Sequence, residues 1–130
     1  MTSRALVHGA ITTNPAIAAL IPPERWIQQG ALDAPQVRPF GIIAYSDTPR
    51  STLGSEQPRL VVWVHDDRGS YVLIDRVLDL VRLALESAIP LEDADSRIVD
   101  VEWTGKSAEF TDDQYDTNTR NTQFTLTGRK

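Results

Sequence analysis

The sequence predicts an α+β domain: a mainly antiparallel four-stranded sheet packed on one long helix, preceded by short N-terminal helices. Three observations carry that expectation. Residues Tyr71 to Ala88 repeat apolar side chains at the helical period, four other stretches alternate with period two, and the element order is helix, helix, strand, strand, long helix, strand, strand. A chain of 130 residues, 41% apolar and 24% charged, has the length and composition of a single domain spanning residues 1–130.

At the N-terminus Leu6, Val7, Ala10 and Ile11 share one helical face. Asn14-Pro15 then reads as an N-cap followed by proline at the first helical position, starting a short helix that turns Ile17, Leu20 and Ile21 inward and ends at Pro22-Pro23. Trp26-Ile27 begins a brief extended segment that turns at Gly30. From Val37 to Tyr45, Phe40, Ile42 and Ala44 alternate with Ile43 and Tyr45. Pro39 lacks a backbone donor and so belongs at this strand's start or on an edge. Ser46 to Pro58 is a long polar connection, the kind that commonly carries function.

In Leu60 to Val64, Leu60, Val62 and Val64 face one way and Val61 and Trp63 the other, so both faces need cover. The N-terminal helices supply it on the second face, or a neighbouring subunit does. Asp66 to Ser70 is a turn, with Asp67 or Ser70 as helix cap. The helix Tyr71–Ala88 turns Ile74, Val77, Leu78, Val81, Ala84 and Leu85 inward and is stopped by Pro90; at 1.5 Å per residue it spans about 27 Å. Arg97 to Thr104 alternates strictly, with Val99, Val101 and Trp103 on one face and Asp100 and Glu102 on the other. Asn118 to Thr127 is the last strand, with Thr122, Phe124 and Leu126 inward and a threonine content that suits a strand.

Charge is unevenly spread. Glu92 to Asp116 holds nine acids and two bases, a net -7, and the chain totals -5, so the remainder carries +2. The acidic balance argues against gripping nucleic acid through phosphates. The segment is either a solvated face or a surface for a basic partner, or one past which DNA slides without sticking. No stretch approaches the roughly 20 apolar residues of a membrane-spanning helix. The N-terminal apolar run is broken by His8, Thr12, Thr13, Asn14 and Pro15, which predicts a cytoplasmic chain without a secretory leader.

Little chemistry is announced. The chain has no cysteine, hence no disulfide or thiolate site. It lacks the G-x-S-x-G elbow and both glycine-rich phosphate loops. His65, at the end of a buried strand, is expected to be structural. Asp112, Gln114, Asp116 and Asn118 alternate as calcium-loop ligands do, but Thr117 stands where an EF-hand needs glycine and Gln123 where it needs glutamate. No catalytic residue, metal or cofactor is expected.

The order of these elements resembles the bacteriophage tail terminator (tail-completion) proteins. The similarity runs from an N-terminal helical stretch through Asn14-Pro15 and Ile21-Pro22-Pro23 to Trp26-Ile27. It continues through the Pro39-Phe40 strand, a polar excursion, Leu60-Val61-Val62-Trp63-Val64 and the Tyr71 helix, and closes on the Trp103 and Thr127 strands. The resemblance implies a non-enzymatic virion protein, assembled in the host cytoplasm, whose ring, usually a hexamer, caps the tail tube and stops its growth. It also presents a dock for the head-side connector, with DNA passing through and no membrane involved. The expected partner-contact loop carries Thr48, Arg50, Leu53 and Glu56; the loop after Trp103 is the alternative contact. The acids expected at a lumen or interface are Glu109, Asp112, Asp113 and Asp116. The rival readings are another neck protein, such as a stopper or connector, and a small ligand-binding α+β domain.

Overall fold

The computed structural model describes residues 3–28, 37–46, 59–92, 97–113 and 115–129. The chain begins with helices α1 (Ser3–Thr12) and α2 (Pro15–Ala18), followed by a single 3-10 turn at Pro23–Arg25. Asn14 caps α2 as its sequence predicts, its Oδ1 accepting from the Ala16 and Ile17 N–H groups at 3.0 and 3.2 Å. Strands β1 (Trp26–Gln28), β2 (Phe40–Ser46) and β3 (Arg59–Asp66) come next, then the long helix α3 (Val72–Ala88). The chain ends with β4 (Leu91–Glu92), β5 (Arg97–Lys106), β6 (Phe110–Asp112) and β7 (Thr117–Arg129).

These strands form one seven-stranded mixed sheet, curved into a half-barrel, in the order β1-β2-β3-β7-β5-β4, with β6 also on β7. The pairing of β1 with β2 is parallel; the other pairs are antiparallel. The four-stranded sheet expected above is therefore wrong. Three strands of two or three residues each, β1, β4 and β6, are too short to show a period-two pattern, and β1 joins by a parallel contact that local alternation does not reveal. Because β5 and β6 pair with successive parts of β7, they line its same edge as an interrupted strand. Ser107 patches the break: its N–H donates to the Asn121 carbonyl at 2.9 Å and its Oγ accepts from the Asn121 N–H at 3.0 Å.

One face of the sheet holds the core. Ile43 of β2, Leu60, Val62 and Val64 of β3, Ile98 of β5, and Phe124 and Leu126 of β7 are buried against Ile74, Val77, Leu78, Val81 and Leu85 of α3. Val7, Ile11, Ile17 and Ile21 enter this same cluster, and both α1 and α2 pack against α3. The N-terminal helices thus extend the layer that α3 begins, and do not cover the second face. Trp26 seals the β1 end of the core, its ring lying over Gly41, where any Cβ would overlap it.

Strict alternation in β5 also fails. A register shift between Ile98 and Asp100 leaves Val99 as the extra residue, so Ile98 is the one fully buried, on the same side as Val101. A second shift between Trp103 and Gly105 carries Lys106 to the helix side. Trp103 itself is 37% exposed instead of sealed in the core. The last strand is as predicted but longer, with Thr122, Phe124 and Leu126 buried.

Candidate interaction surfaces

The outer face of the sheet, opposite the helices, begins with side chains that alternate away from the core: Phe40, Ile42 and Ala44 on β2, and Val61, Trp63 and His65 on β3. At one end these form a packed polar-aromatic cluster. The Phe40 and His65 rings stack with centroids 4.7 Å apart and planes 3° from parallel, and Tyr115 meets both edge-on at 5.3 Å. His65 is 2% exposed, and its Nδ1 is hydrogen-bonded to the Thr117 hydroxyl at 2.8 Å. Burial lowers its pKa from 6.5 to about 4, against the smaller opposing pull of Asp112. The imidazole is therefore neutral near pH 7, as a structural residue should be. Thr119, buried beside it, donates to the Val64 carbonyl at 2.9 Å.

Above this cluster two turns are clasped together. Arg38 donates to the Tyr115 carbonyl at 2.8 Å and pairs with Asp67 at 3.1 Å. Arg68, in the turn after β3, pairs with Asp116 at 2.9 Å and Asp113 at 3.3 Å, both in the turn before β7. Asp116 adopts φ 55°, a left-handed conformation that aspartate tolerates better than most residues. Asp112 accepts from the Tyr115 N–H at 3.0 Å. The sequence-predicted acids Asp112, Asp113 and Asp116 are thus gathered at one end of the sheet, two of them bound to Arg68. Glu109 is exposed between β5 and β6 and sits outside that clasp. Thr48, Arg50, Leu53 and Glu56 lie outside the described residues.

The acidic run is not one surface. Glu92 pairs with Arg97 at 3.4 Å where β4 meets β5. Asp100 and Glu102 are exposed on β5 and have no ion pair among the described residues. Their strand is unusual in its surroundings. β4 reaches only Arg97 and Ile98, so from Val99 to Lys106 the outward edge of β5 has no strand partner among the described residues. Trp103 stands there, with the Arg82 guanidinium 4.0 Å from its ring centre and its Nε1 donating to Thr122 at 2.8 Å. Behind it Arg120 bonds Asp75 at 2.7 Å and the Ser107 carbonyl at 2.8 Å, and Lys106 bonds Asp79 at 3.1 Å, tying the strand to α3. Sequence reasoning missed this arrangement, because it arises from pairing partners that are distant in the chain.

A shallow depression of about 220 Å³ lies between Arg59, Val61, Thr104, Gln123 and Thr125. It gathers one charged side chain and no acid-base pair, so it offers no reaction geometry. No group of three or more metal-ligating side chains occurs among the described residues, and no described helix is long and apolar enough to cross a membrane.

No protein-family model matches the sequence, and no curated protein matches it. Among solved structures, the fold is similar to that of a chain in the virion of a native gene transfer agent (GTA) particle. The TM-score is 0.77 and the identity 14%, with 98% of this chain and 95% of that chain covered.

Proposed function

We propose that this chain is a structural subunit of a phage-like virion, and within it the tail terminator: a ring protein that caps the tail tube, ends its polymerisation and forms the joint to the head-side connector. The observation that carries the reading is the likeness of fold, nearly end to end in both chains, to a chain from a gene transfer agent virion. The element order that resembles the tail-completion proteins supplies the finer assignment.

Two physical points support it. A subunit with a radius of gyration of about 14 Å cannot encircle a DNA duplex, so a channel requires several copies, in this reading six. A channel wall should also not bind phosphate, and a net -5 subunit meets that need. Glu109, Asp112, Asp113 and Asp116 are assigned to the lumen or to a subunit interface. The segment containing Thr48, Arg50, Leu53 and Glu56 is assigned to the contact with tube or connector protein. The reading gives the chain no covalent chemistry, no cofactor, and a place in the neck of the particle.

Deleting the gene from a particle that encodes it tests the assignment. Tubes that overrun their normal length and stay unjoined to heads are the expected result. Tubes of normal length that fail only to join would make the chain a stopper or connector, and intact infectious particles would refute a neck role altogether.

A further inference from the structure

We infer that copies of this chain join edge to edge, the free edge of β5 in one subunit receiving β1 of the next, so that one sheet continues from subunit to subunit. The inference rests on the ring reading above and names its interface.

Among the described residues, two open edges lie at opposite sides of the sheet: β1 is the terminal strand on one side, and β5 is left uncovered beyond β4 on the other. An uncovered strand presents unpaired N–H and C=O groups that act as a template for another strand. Between its two register shifts β5 has a regular stretch of four residues, Asp100–Trp103, and β1 has three, Trp26–Gln28, so the lengths correspond.

Side chains then select which edges meet. Two β5 edges brought together about a twofold axis would set Asp100 and Glu102 against the same carboxylates of the other copy, and like charges facing across strands are destabilising. At the other edge, Arg25 immediately precedes β1 and has no ion pair among the described residues. A β1 edge laid on β5 brings that guanidinium to the unpaired Asp100 and Glu102. On the opposite, helix-side face of the same strand the half-exposed Trp103, braced by Arg82 and Thr122, supplies an aromatic anchor at this edge, as interface centres commonly do. Such a contact uses different surfaces on the two copies. Each subunit therefore keeps one edge free for the next, which is the requirement for closing a ring.

The test is a charge swap. Oligomer mass is measured by mass photometry, both free and on purified tail tubes, for the wild type, for Asp100→Arg with Glu102→Arg, for Arg25→Glu, and for all three changes together. Far-ultraviolet circular dichroism checks that each variant folds. The expected result is loss of the ring in the first two variants and its recovery in the combination. Because the chain contains no cysteine, a second readout is free of background. Arg25→Cys with Glu102→Cys should give a ladder of disulfide-linked multimers on mild oxidation. A ring that survives both reversals, or that yields no ladder, overturns this interface and leaves the ring reading standing. A wild-type protein that stays monomeric both free and on tubes overturns both.

Discussion

On its helix side the sheet meets α1, α2 and α3 through aliphatic side chains, Phe124 and Trp26, whereas the outer face of the same strands buries Phe40, His65, Thr117, Thr119 and Asn121. The inner face is held by removal of apolar surface from water, which is non-directional and scales with area. The outer cluster is held by ring stacking, by the hydrogen bond between His65 and Thr117, and by the turn clasp of Arg38 and Arg68. The contrast teaches that one face specifies that the chain folds and the other sets the position of the acidic turn carrying Asp112, Asp113 and Asp116. The two should respond to different perturbations.

The largest effect belongs to the inner face. Phe124→Ala empties a site 1% exposed at the centre of the core and should cost about 3–5 kcal/mol, read as a lowered urea midpoint at pH 7. A loss below about 1 kcal/mol would mean that the helix layer is not packed as described.

Acid should act on the outer face. The folded pKa of His65, about 4, lies below its unfolded value of 6.5, so between these values the unfolded chain binds the extra proton. The His65 contribution is therefore complete above pH 6.5, falls as pH drops, and is lost near pH 4, a total of about 3 kcal/mol. Subtracting the stability profile of His65→Gln from that of the wild type isolates it. Parallel profiles would contradict the buried neutral imidazole.

Gly41→Ala probes the seam where the core ends. Its new methyl would press into the Trp26 ring and should cost about 1–3 kcal/mol, with a change in Trp26 fluorescence. Arg68→Ala should change stability least. Its pairs with Asp113, 98% exposed, and Asp116, 73% exposed, are solvated, so the loss should stay within about 1 kcal/mol and vanish at high salt.

Legibility followed the range over which each cause acts. β3, α3 and β7 were readable because Leu60 to Val64, Ile74 to Leu85 and Thr122 to Leu126 repeat at their own period within a few residues. The Asn14 cap was readable for the same local reason. The extent of the sheet was not, since β1, β4 and β6 exist only through their partners. The inward turn of Ile98 depends on a bulge that Val99 and Val101, flanking Asp100, do not announce. The character of His65 as a structural residue followed from its place in a buried strand. Its neighbours did not, because Phe40, Tyr115 and Thr117 reach it from 25, 50 and 52 residues away along the chain. Of the candidate surfaces, the acidic residues were visible as a charge run, but their division between the clasped turn and the open β5 edge is a product of the fold.

Cryo-microscopy of intact particles built with this chain bears most directly on the central claim, that it is a virion subunit at the head-side end of the tail tube. The account predicts a closed ring of copies between the last tube layer and the connector, with the DNA path through its centre. Particles whose neck density fits other proteins, with this chain absent from them, would contradict it.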